Sequence, residues 1–243
     1  MHIIKVSATE STNTLSREWY HSHKNSAPFC VVAFEQTSGK GQRGAGWISN
    51  AGENLTMSMV YPNPAIDVQD QFVLSATVGI AIIEVLKQLK INRLKLKWPN
   101  DIMAANFKIG GVLIENILNN GRITASIIGI GLNLNQVIFP FLPKAASLKS
   151  ISGKDYDVEN ILNEIVVRLE MKLDDLKNTE GKDVLRNYEK LLFKKDKVST
   201  FQLAEGELLT GIIRGVTSTG LLKVEVEDEI MRFFDLKELK LLF

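Results

Sequence analysis

The chain has 243 residues, enough to bury a sizeable core in one or two domains. Its formal net charge is +1, so no global electrostatic field favours nucleic acid or a membrane surface. Its 45% hydrophobic residues are typical of an ordinary soluble protein. The single cysteine, Cys30, cannot form an intramolecular disulfide, and the first residues, MHIIKVSATES, are not a signal peptide. We therefore expect a cytoplasmic globular protein with no nucleic-acid or membrane partner.

Helices and strands alternate through the first part of the chain. STNTLSREWYHSH predicts a helix that begins near Ser11, and FCVVAFEQ predicts a buried strand, followed by a strand at NLTMSMVYP. The apolar segment DQFVLSATVGIAIIEVLKQLK predicts a buried helix. Its longest apolar stretch, within FVLSATVGIAIIEVL, is expected to be too short and too interrupted to span a bilayer. RLKLKW alternates, so it predicts a strand with leucines on one face and cations on the other.

The later elements complete an α+β fold in two units. GGVLIENIL and RITASIIGIGLNL flank Asn120-Gly121, which predicts a type I′ hairpin. VENILNEIVVRLEMKLDDLK and VLRNYEKLLF predict helices. KVSTFQ, ELLTGIIRGV, GLLKVEVE and IMRFFDL predict the short strands of a small β-barrel. The sequence thus predicts a mixed β-sheet with flanking helices over residues 1–192 and a small β-barrel over residues 193–243.

A glycine-rich loop, GKGQRGAGW, follows the strand FCVVAFEQ. Gly39, Gly41 and Gly44 satisfy G-x-G-x-x-G, but the loop leads into a strand, whereas a dinucleotide fingerprint must open a helix. It is not a Walker A loop either, because no Gly-Lys-Ser/Thr follows at the required spacing. A flexible glycine hairpin with incidental charge remains one interpretation.

The second interpretation of this loop is a phosphate-binding flap. Closely spaced glycines let backbone N–H groups approach an anion, while Lys40 and Arg43 supply charge and forked donors. The loop leaves its strand through Gln36, which can donate and accept. Because such a loop loses much entropy when it orders, we expect residues 39–46 to be mobile without ligand.

A second group of polar residues lies in KWPNDIMAANFKIGGVLIEN. Asn100 and Asp101 follow Pro99 at the end of a predicted strand, where they predict either a turn cap or an oxygen ligand for Mg²⁺ carrying nucleotide phosphates. Lys108 stands just before two glycines on which a ligand could lie. It is either a surface lysine in a turn or a cation that stabilises charge on a reacting phosphate.

These motifs together resemble those of biotin protein ligases, the biotin–[acetyl-CoA-carboxylase] ligases. STN, EQTSGKGQRGAGW, KWPNDI, KIGGVLIE and IGIGLNLN occur in the order and spacing of that family, and the resemblance covers nearly the whole chain. It implies a biotin/lipoate ligase-like catalytic domain with a C-terminal SH3-like barrel. It also implies the monofunctional type, because the catalytic pattern begins too early for an N-terminal winged-helix DNA-binding domain.

The resemblance implies a two-step reaction. ATP and biotin, with Mg²⁺, would give biotinyl-5′-AMP and pyrophosphate, and the target lysine of a biotin carboxyl carrier protein domain would then displace AMP. The partner is thus a biotin-dependent carboxylase, and a homodimer remains open. A lipoate or octanoyl ligase of the same architecture is an alternative, although the Arg-rich, triple-glycine motif of those enzymes is not evident. A non-catalytic biotin or nucleotide sensor is another.

The resemblance also assigns roles to residues of this chain. The catalytic residues would be Lys108, Arg43 and Asp101, with Asp101 as the candidate Mg²⁺ ligand. The biotin-binding residues would be Ser11, Thr12, Asn13, Gln36, Lys40, Gly41, Gln42, Lys108, Gly110 and Gly111. The nucleotide-binding residues would be Gly39, Lys40, Arg43, Trp47, Asn100, Asp101, Lys108 and Asn133. Trp47 could equally pack against the flap, against adenine or in the core.

Overall fold

A seven-stranded mixed sheet forms the centre of the protein, in a computed structural model that describes residues 1–23 and 27–243. The strands of the first unit are β1 (His2–Thr9), β2 (Phe29–Gln36), β3 (Gly39–Lys40), β4 (Gly46–Trp47), β5 (Leu55–Pro62), β6 (Leu94–Lys97), β7 (Asp101–Ala104), β8 (Phe107–Asn119) and β9 (Arg122–Leu132). Its helices are α1 (Thr12–His23), α2 (Gln71–Gln88), α3 (Leu148–Ser152), α4 (Val158–Asp175) and α5 (Gly181–Leu191). Short 3₁₀ turns cover Gln42–Gly44, Val68–Asp70 and Leu176–Asn178.

The sheet order is β1-β2-β5-β9-β8-β7-β6, with β1 parallel to β2 and every other pair antiparallel. Helix α1 packs on one face of this sheet, and α2 packs against α4, α5, β6 and β8. Successive residues of a strand point to opposite faces. Accordingly, Phe29 and Val31 join a small core that includes Leu15 of α1, whereas Cys30 between them joins the large core with α2. The predicted mixed sheet with flanking helices is confirmed.

Strand β5 shows why two helical layers are needed. All eight of its residues are buried, although the sequence NLTMSMVYP suggested alternation. A strand buried on both faces needs no alternation of polar and apolar residues. The polar members Thr56 and Ser58 are satisfied by hydrogen bonds, and the Thr56 hydroxyl donates to the Ala33 carbonyl at 2.8 Å.

The apolar helix α2 is confirmed within the predicted segment, and a 3₁₀ turn precedes it. The helical segment Val68–Gln88 has 21 residues with a mean hydropathy of 1.4, so by length and composition alone it could cross a membrane. The expectation that this stretch is too short and interrupted is therefore wrong. The segment is 61% buried inside the protein, as the core helix of a soluble protein would be, so this resemblance to a membrane span is weak evidence.

The predicted hairpin between β8 and β9 is present. Asn120 has φ 49° and Gly121 has φ 75°, the two positive values that a type I′ turn requires. A bulge between Ile117 and Leu118 shifts the register that the turn begins by one residue, and the shifted register places Gly111 opposite Gly131. The turn and the bulge together thus position residues at the other end of both strands.

The C-terminal unit is a five-stranded antiparallel sheet. Its strands are β10 (Val198–Leu203), β11 (Leu208–Val216), β12 (Leu222–Glu225), β13 (Met231–Phe234) and β14 (Leu239–Leu242), with a 3₁₀ turn at Glu227–Glu229. They pair in the order β13-β12-β11-β10-β14. Strand β14, in KELKLLF, was not predicted. The Trp98 indole donates to the Gly220 carbonyl at 2.9 Å, which ties this unit to the first one. The boundary between residues 192 and 193 stays a prediction.

The turn gives a test of the fold. Gly121→Ala is expected to lower the free energy of unfolding by about 1 kcal/mol, because a Cβ is strained at positive φ. Urea unfolding would measure the difference. Asn119→Ala, an exposed strand end in the same hairpin, should stay within about 0.5 kcal/mol of the parent. Equal losses in the two variants would contradict the type I′ assignment.

Candidate active site

The glycine loop folds into a small hairpin. Strands β3 and β4 pair through Gly39 with Trp47 and Lys40 with Gly46, and the Gly41 amide donates to the Ala45 carbonyl at 2.6 Å. A 3₁₀ turn carries Arg43, whose φ is 58°. The chain then runs to β5 and opens no helix, in agreement with the rejection of a dinucleotide fingerprint. The mobility expected of this loop stays a prediction.

The indole of Trp47 anchors the loop on the central sheet. A Cβ built on Gly131 would overlap the Trp47 ring, and one on Gly111 would lie 3.8 Å from it. The ring therefore lies directly on strand backbone, at a place where only glycine leaves room. The Lys108 ammonium stands 6.0 Å from the ring centroid. Trp47 thus packs between the loop and the sheet floor.

A cavity of about 440 Å³ opens beneath this loop. Its wall combines the start of α1, the glycine loop, the turn between β6 and β7, strands β8 and β9, and two residues of the C-terminal unit. The predicted site residues that line it are Ser11, Thr12, Asn13, Gln36, Lys40, Gly41, Gln42, Arg43, Trp47, Asn100, Asp101, Lys108 and Gly111. The structure therefore brings most of the predicted residues together around one space.

Three predicted residues lie behind this wall. A Cβ on Gly39 would overlap the Trp47 carbonyl, so glycine there allows the hairpin to close. A Cβ on Gly110 would lie 2.8 Å from the Gly131 carbonyl, so that glycine allows β8 to approach β9. Asn133 is buried, and its Nδ2 donates to the Ala146 carbonyl at 3.0 Å. Each supports the cavity from outside its lining.

Several lining residues were missed by the sequence analysis. Lys97 belongs to the quoted KWPND block, and the alternation of RLKLKW already placed it on the polar face. Gly129 and Gly131 lie in IGIGLNLN, where their approach to Asn13 and Trp47 depends on strand pairing. The lining residues Leu236 and Lys240 come from the C-terminal unit. No local signal marks that pair, because only the packing of the two units brings them to the cavity.

The cavity is strongly cationic. Among the described residues, its lining includes Lys40, Arg43, Lys97, Lys108 and Lys240 but only one acid, Asp101. A concentration of one sign of charge in a concave site attracts ligands of the opposite charge. The local arrangement thus provides the anion site that the net charge of the whole chain does not show.

Asp101 lies between two of these cations. Its Oδ1 is 2.6 Å from the Lys108 ammonium, and its Oδ2 is 2.9 Å from the Lys97 ammonium. Burial raises the pKa of Asp101, but the charges of Lys97 and Lys108 outweigh that effect and hold the pKa below its ordinary value of 3.8. The carboxylate therefore stays ionised and fixes the positions of both ammonium groups.

These residues do not form a complete Mg²⁺ site. Both Asp101 oxygens are engaged by lysines, and the described residues contain no group of three His, Cys, Asp or Glu side chains that could hold a metal. Mg²⁺ prefers octahedral oxygen coordination and commonly binds through substrate phosphates and water. The donor set fits an ion that arrives on a phosphate ligand rather than one held by protein alone.

Another part of the lining, at the start of α1, is polar and carries Lys40 as its charged group. The Thr12 amide donates to Gln36 Oε1 at 2.8 Å, so the other end of the Gln36 amide, Nε2, is left as a donor. The Lys40 ammonium donates to the Thr14 hydroxyl at 2.9 Å, which ties the glycine loop to α1. The apolar residues Met57, Val112 and Leu113 also line the cavity. The site suits a ligand with a polar neutral head, an apolar body and an anionic end.

Comparison with known proteins agrees with this combination of fold and site. Residues 6–133, more than half of the chain, match the Biotin/lipoate A/B protein ligase family, and the chain belongs to that family. The matched range holds the glycine loop, the Lys97–Asp101–Lys108 cluster and the start of α1.

Individual relatives are more specific. The chain is 30% identical over 180 residues to the Bifunctional ligase/repressor BirA of Bacillus spizizenii, covering 72% of this chain and 54% of that protein. It is 26% identical over 199 residues to the Biotin--[acetyl-CoA-carboxylase] ligase of Mycobacterium tuberculosis, covering 81% and 73%. The Biotin protein ligase from Aquifex aeolicus in complex with biotin and ATP matches with a TM-score of 0.82 at 25% identity, covering 99% and 98%. The chain thus spans about half of the length of the BirA relative.

The packing of Trp47 can be tested by its fluorescence. In a background with Trp19→Phe and Trp98→Phe, which leaves Trp47 as the one tryptophan of three, Gly131→Ala is expected to shift the emission to longer wavelength, because the new methyl group displaces the indole towards solvent. Gly46→Ala is the control, since the nearest atom to its Cβ would be 3.9 Å away. An unchanged spectrum in Gly131→Ala would mean that the indole does not rest on β9.

The charge cluster gives a pH prediction. Lys97→Met should raise the pKa of Asp101, because burial then meets less opposing charge, and NMR titration of the carboxyl carbon would measure it. A lowered pKa adds stability that is complete above the unfolded-state pKa and is lost as pH falls through the folded-state value. The variant should therefore lose this contribution at higher pH than the parent. Lys95→Met, whose ammonium contacts the Lys190 carbonyl instead, should leave the Asp101 titration unchanged.

Proposed function

We propose that this protein is an ATP-dependent biotin protein ligase. The observation that carries the proposal is one cavity whose lining holds hydrogen-bonding groups at Thr12 and Gln36, apolar side chains, and cations at Lys97 and Lys108. Biotin has a ureido head that donates and accepts, an apolar ring and a carboxylate tail, which such a lining can match. Family membership and the Aquifex aeolicus structure with biotin and ATP support the same ligands.

The first step would join the biotin carboxylate to the α-phosphate of ATP. A carboxylate is too poor an electrophile for an amine, so activation as biotinyl-5′-AMP, with release of pyrophosphate, makes the later acyl transfer feasible. Negative charge from both substrates then meets in the same place. Lys108 would stabilise that charge, Asp101 would hold Lys108 and Lys97 in position, and Arg43 would cover the phosphate from the loop.

The second step would transfer the biotinyl group to a lysine amine of the carrier domain. The amine attacks the carbonyl carbon of the mixed anhydride, AMP leaves with its bonding electrons, and the amine loses a proton. Lys40, Gly41 and Gln42 would cover the intermediate and exclude water until the carrier arrives. The partner is a biotin carboxyl carrier protein domain of a biotin-dependent carboxylase. A homodimer remains open.

Nucleotide contacts follow from the same geometry. Asn100, Asp101 and Trp47 lie nearest the cationic end, whereas Gly39 and Asn133 support the cavity from behind. Mg²⁺ would enter on the ATP phosphates and offset part of their charge. The loop carries Gln42 and Ala45 where many family members carry arginines, so biotinyl-AMP is either retained more loosely or held by Arg43 in compensation.

The decisive experiment supplies the protein with ATP, biotin and a biotin carrier domain and weighs the carrier by mass spectrometry. We expect one added biotinyl group and ATP-dependent pyrophosphate release. Lys108→Met should slow adenylation by about 100-fold or more, the loss typical of removing one preset charge stabiliser. Lys95→Met, on β6 but outside the cavity lining, should keep parental activity. An unmodified carrier with the parent protein would reject the proposal.

A binding measurement separates the lipoate alternative. A ligand that binds the folded state alone raises stability by about 2.7 kcal/mol at one hundred times its Kd. We expect biotin to raise the melting temperature and lipoate to leave it unchanged. The reverse order would make this chain a lipoate-type ligase, and stabilisation by biotin without pyrophosphate release would favour a sensor.

A further inference from the structure

An aromatic ring of the C-terminal unit lies beside lysines of the first unit. Phe243 follows β14, and its ring centroid stands 5.6 Å from the Lys97 ammonium and 4.1 Å from the Lys144 ammonium. Both nitrogens lie over the ring, where an aromatic π-system is negative and attracts a cation. One side chain of the C-terminal unit thus contacts two cations of the first unit.

A second aromatic residue fixes the position of this ring. The ring centroids of Phe243 and Phe193 lie 5.1 Å apart, and the two planes meet at 70°. Edge-to-face packing of this kind is a preferred arrangement of two aromatic rings. Phe193 is buried, and its amide donates to the Leu96 carbonyl of β6 at 2.8 Å. Phe243 therefore packs on a residue that is bonded to β6 next to Lys97.

The two lysines over the ring support Lys108 by different routes. The Lys97 ammonium binds Oδ2 of Asp101, and Oδ1 of the same carboxylate binds the Lys108 ammonium. The Lys144 carbonyl accepts from the Lys108 amide at 2.8 Å, so the segment that carries Lys144 holds the main chain at Lys108. The ring of Phe243 consequently contacts one residue that helps to fix the Lys108 side chain and another that fixes its main chain.

An aromatic ring suits this place better than a carboxylate would. Lys97, Lys108 and Lys144 repel one another, and Asp101 supplies one negative charge between the first two. A second acid beside Lys97 would reduce the repulsion, but it would also repel an anionic ligand from the cavity. A ring attracts an ammonium group through its quadrupole and carries no net charge, so the positive potential of the cavity is kept.

We propose that Phe243 is a positioning residue for the reaction at Lys108. Its ring restrains Lys97, which lines the cavity, and Lys144, which holds the main chain at Lys108. A lysine side chain loses rotamer entropy when it binds a phosphate, and a lysine that is already restrained by a ring loses less. The ring thus strengthens the binding of ATP without touching it. This inference rests on the proposed function, because it assigns a role towards ATP.

The test changes the electrostatics of the ring and keeps its shape. Phenylalanine analogues with one, two and three ring fluorines, introduced in place of Phe243, weaken the negative potential over the ring in steps. The probe is α,β-methylene-ATP, which cannot release pyrophosphate, and isothermal titration calorimetry gives its Kd at constant Mg²⁺. Pyrophosphate release in a single turnover with ATP and biotin gives the rate of adenylation.

We expect the Kd of α,β-methylene-ATP to rise with each fluorine and to reach about fivefold above the parent with three, the factor that corresponds to one cation–π contact. The rate of adenylation should fall in the same order. Phe243→Leu, which keeps apolar bulk but has no ring, should show a similar loss, whereas Phe243→Tyr keeps the ring and should match the parent. Phe233→Leu removes an exposed ring on β13 of the same unit and is the control, which should also match the parent.

A second measurement does not depend on activity. Aromatic ring currents shield nuclei that lie over the ring, so the ammonium protons of Lys97 and Lys144 should resonate upfield in ¹⁵N-lysine-labelled protein. Phe243→Leu should remove this shift, and Phe233→Leu should keep it.

The outcomes keep this inference apart from the proposed function. A parent that neither binds α,β-methylene-ATP nor releases pyrophosphate would reject both, since the inference concerns ATP. If the parent binds the analogue and the fluorinated proteins bind it and form the adenylate equally well, the proposed function stands and the inference is refuted, because the ring then only fills space. Ammonium protons that do not move in Phe243→Leu would refute the inference whatever the activity.

Discussion

The rest of this site depends on one constraint: two like charges are held close together. Lys97 and Lys108 repel one another, and a single carboxylate, that of Asp101, lies between their ammonium groups. The carboxylate is placed by a tight turn between two short strands, and that turn is tied to β8, where the Asn100 amide donates to the Val112 carbonyl at 2.7 Å. Fixed charge of this kind needs little rearrangement when an anion arrives, which is what stabilises a charged transition state.

The glycines of the central strands also position groups in advance, because they leave room for larger side chains at the sheet surface. Gly129 gives room to an amide and Gly131 to an indole, so a polar group and a large ring both reach the sheet surface. The room at Gly129 lets the Asn13 amide form hydrogen bonds at the sheet surface. The room at Gly131 lets Trp47 hold the cationic loop against the sheet. The places of Asn13 and Trp47 in the cavity wall are therefore built on alternate residues of one strand, β9.

The sequence predicted the elements of this fold better than the contacts between them. Periodicity placed α2 and α4, and Asn120-Gly121 marked its hairpin, because each signal lies within a few neighbouring residues. Strand β14 escaped notice since its partner is β10, far away along the chain. Lys108 and Asp101 were found through motif spacing. Lys240 and the partnership of Glu115 with Asn13 could not be found, because they exist only once separate strands have packed.

Leu236 and Lys240 give the C-terminal sheet a share in the cavity wall. The small sheet is consequently no detachable appendage, although its strands form a separate hydrogen-bonded unit. Anyone who grafts the corresponding segment of a relative onto this chain would also exchange part of the surface that meets the ligand. A change in the C-terminal segment can therefore also change which ligand the cavity prefers, so the two should vary together among related sequences.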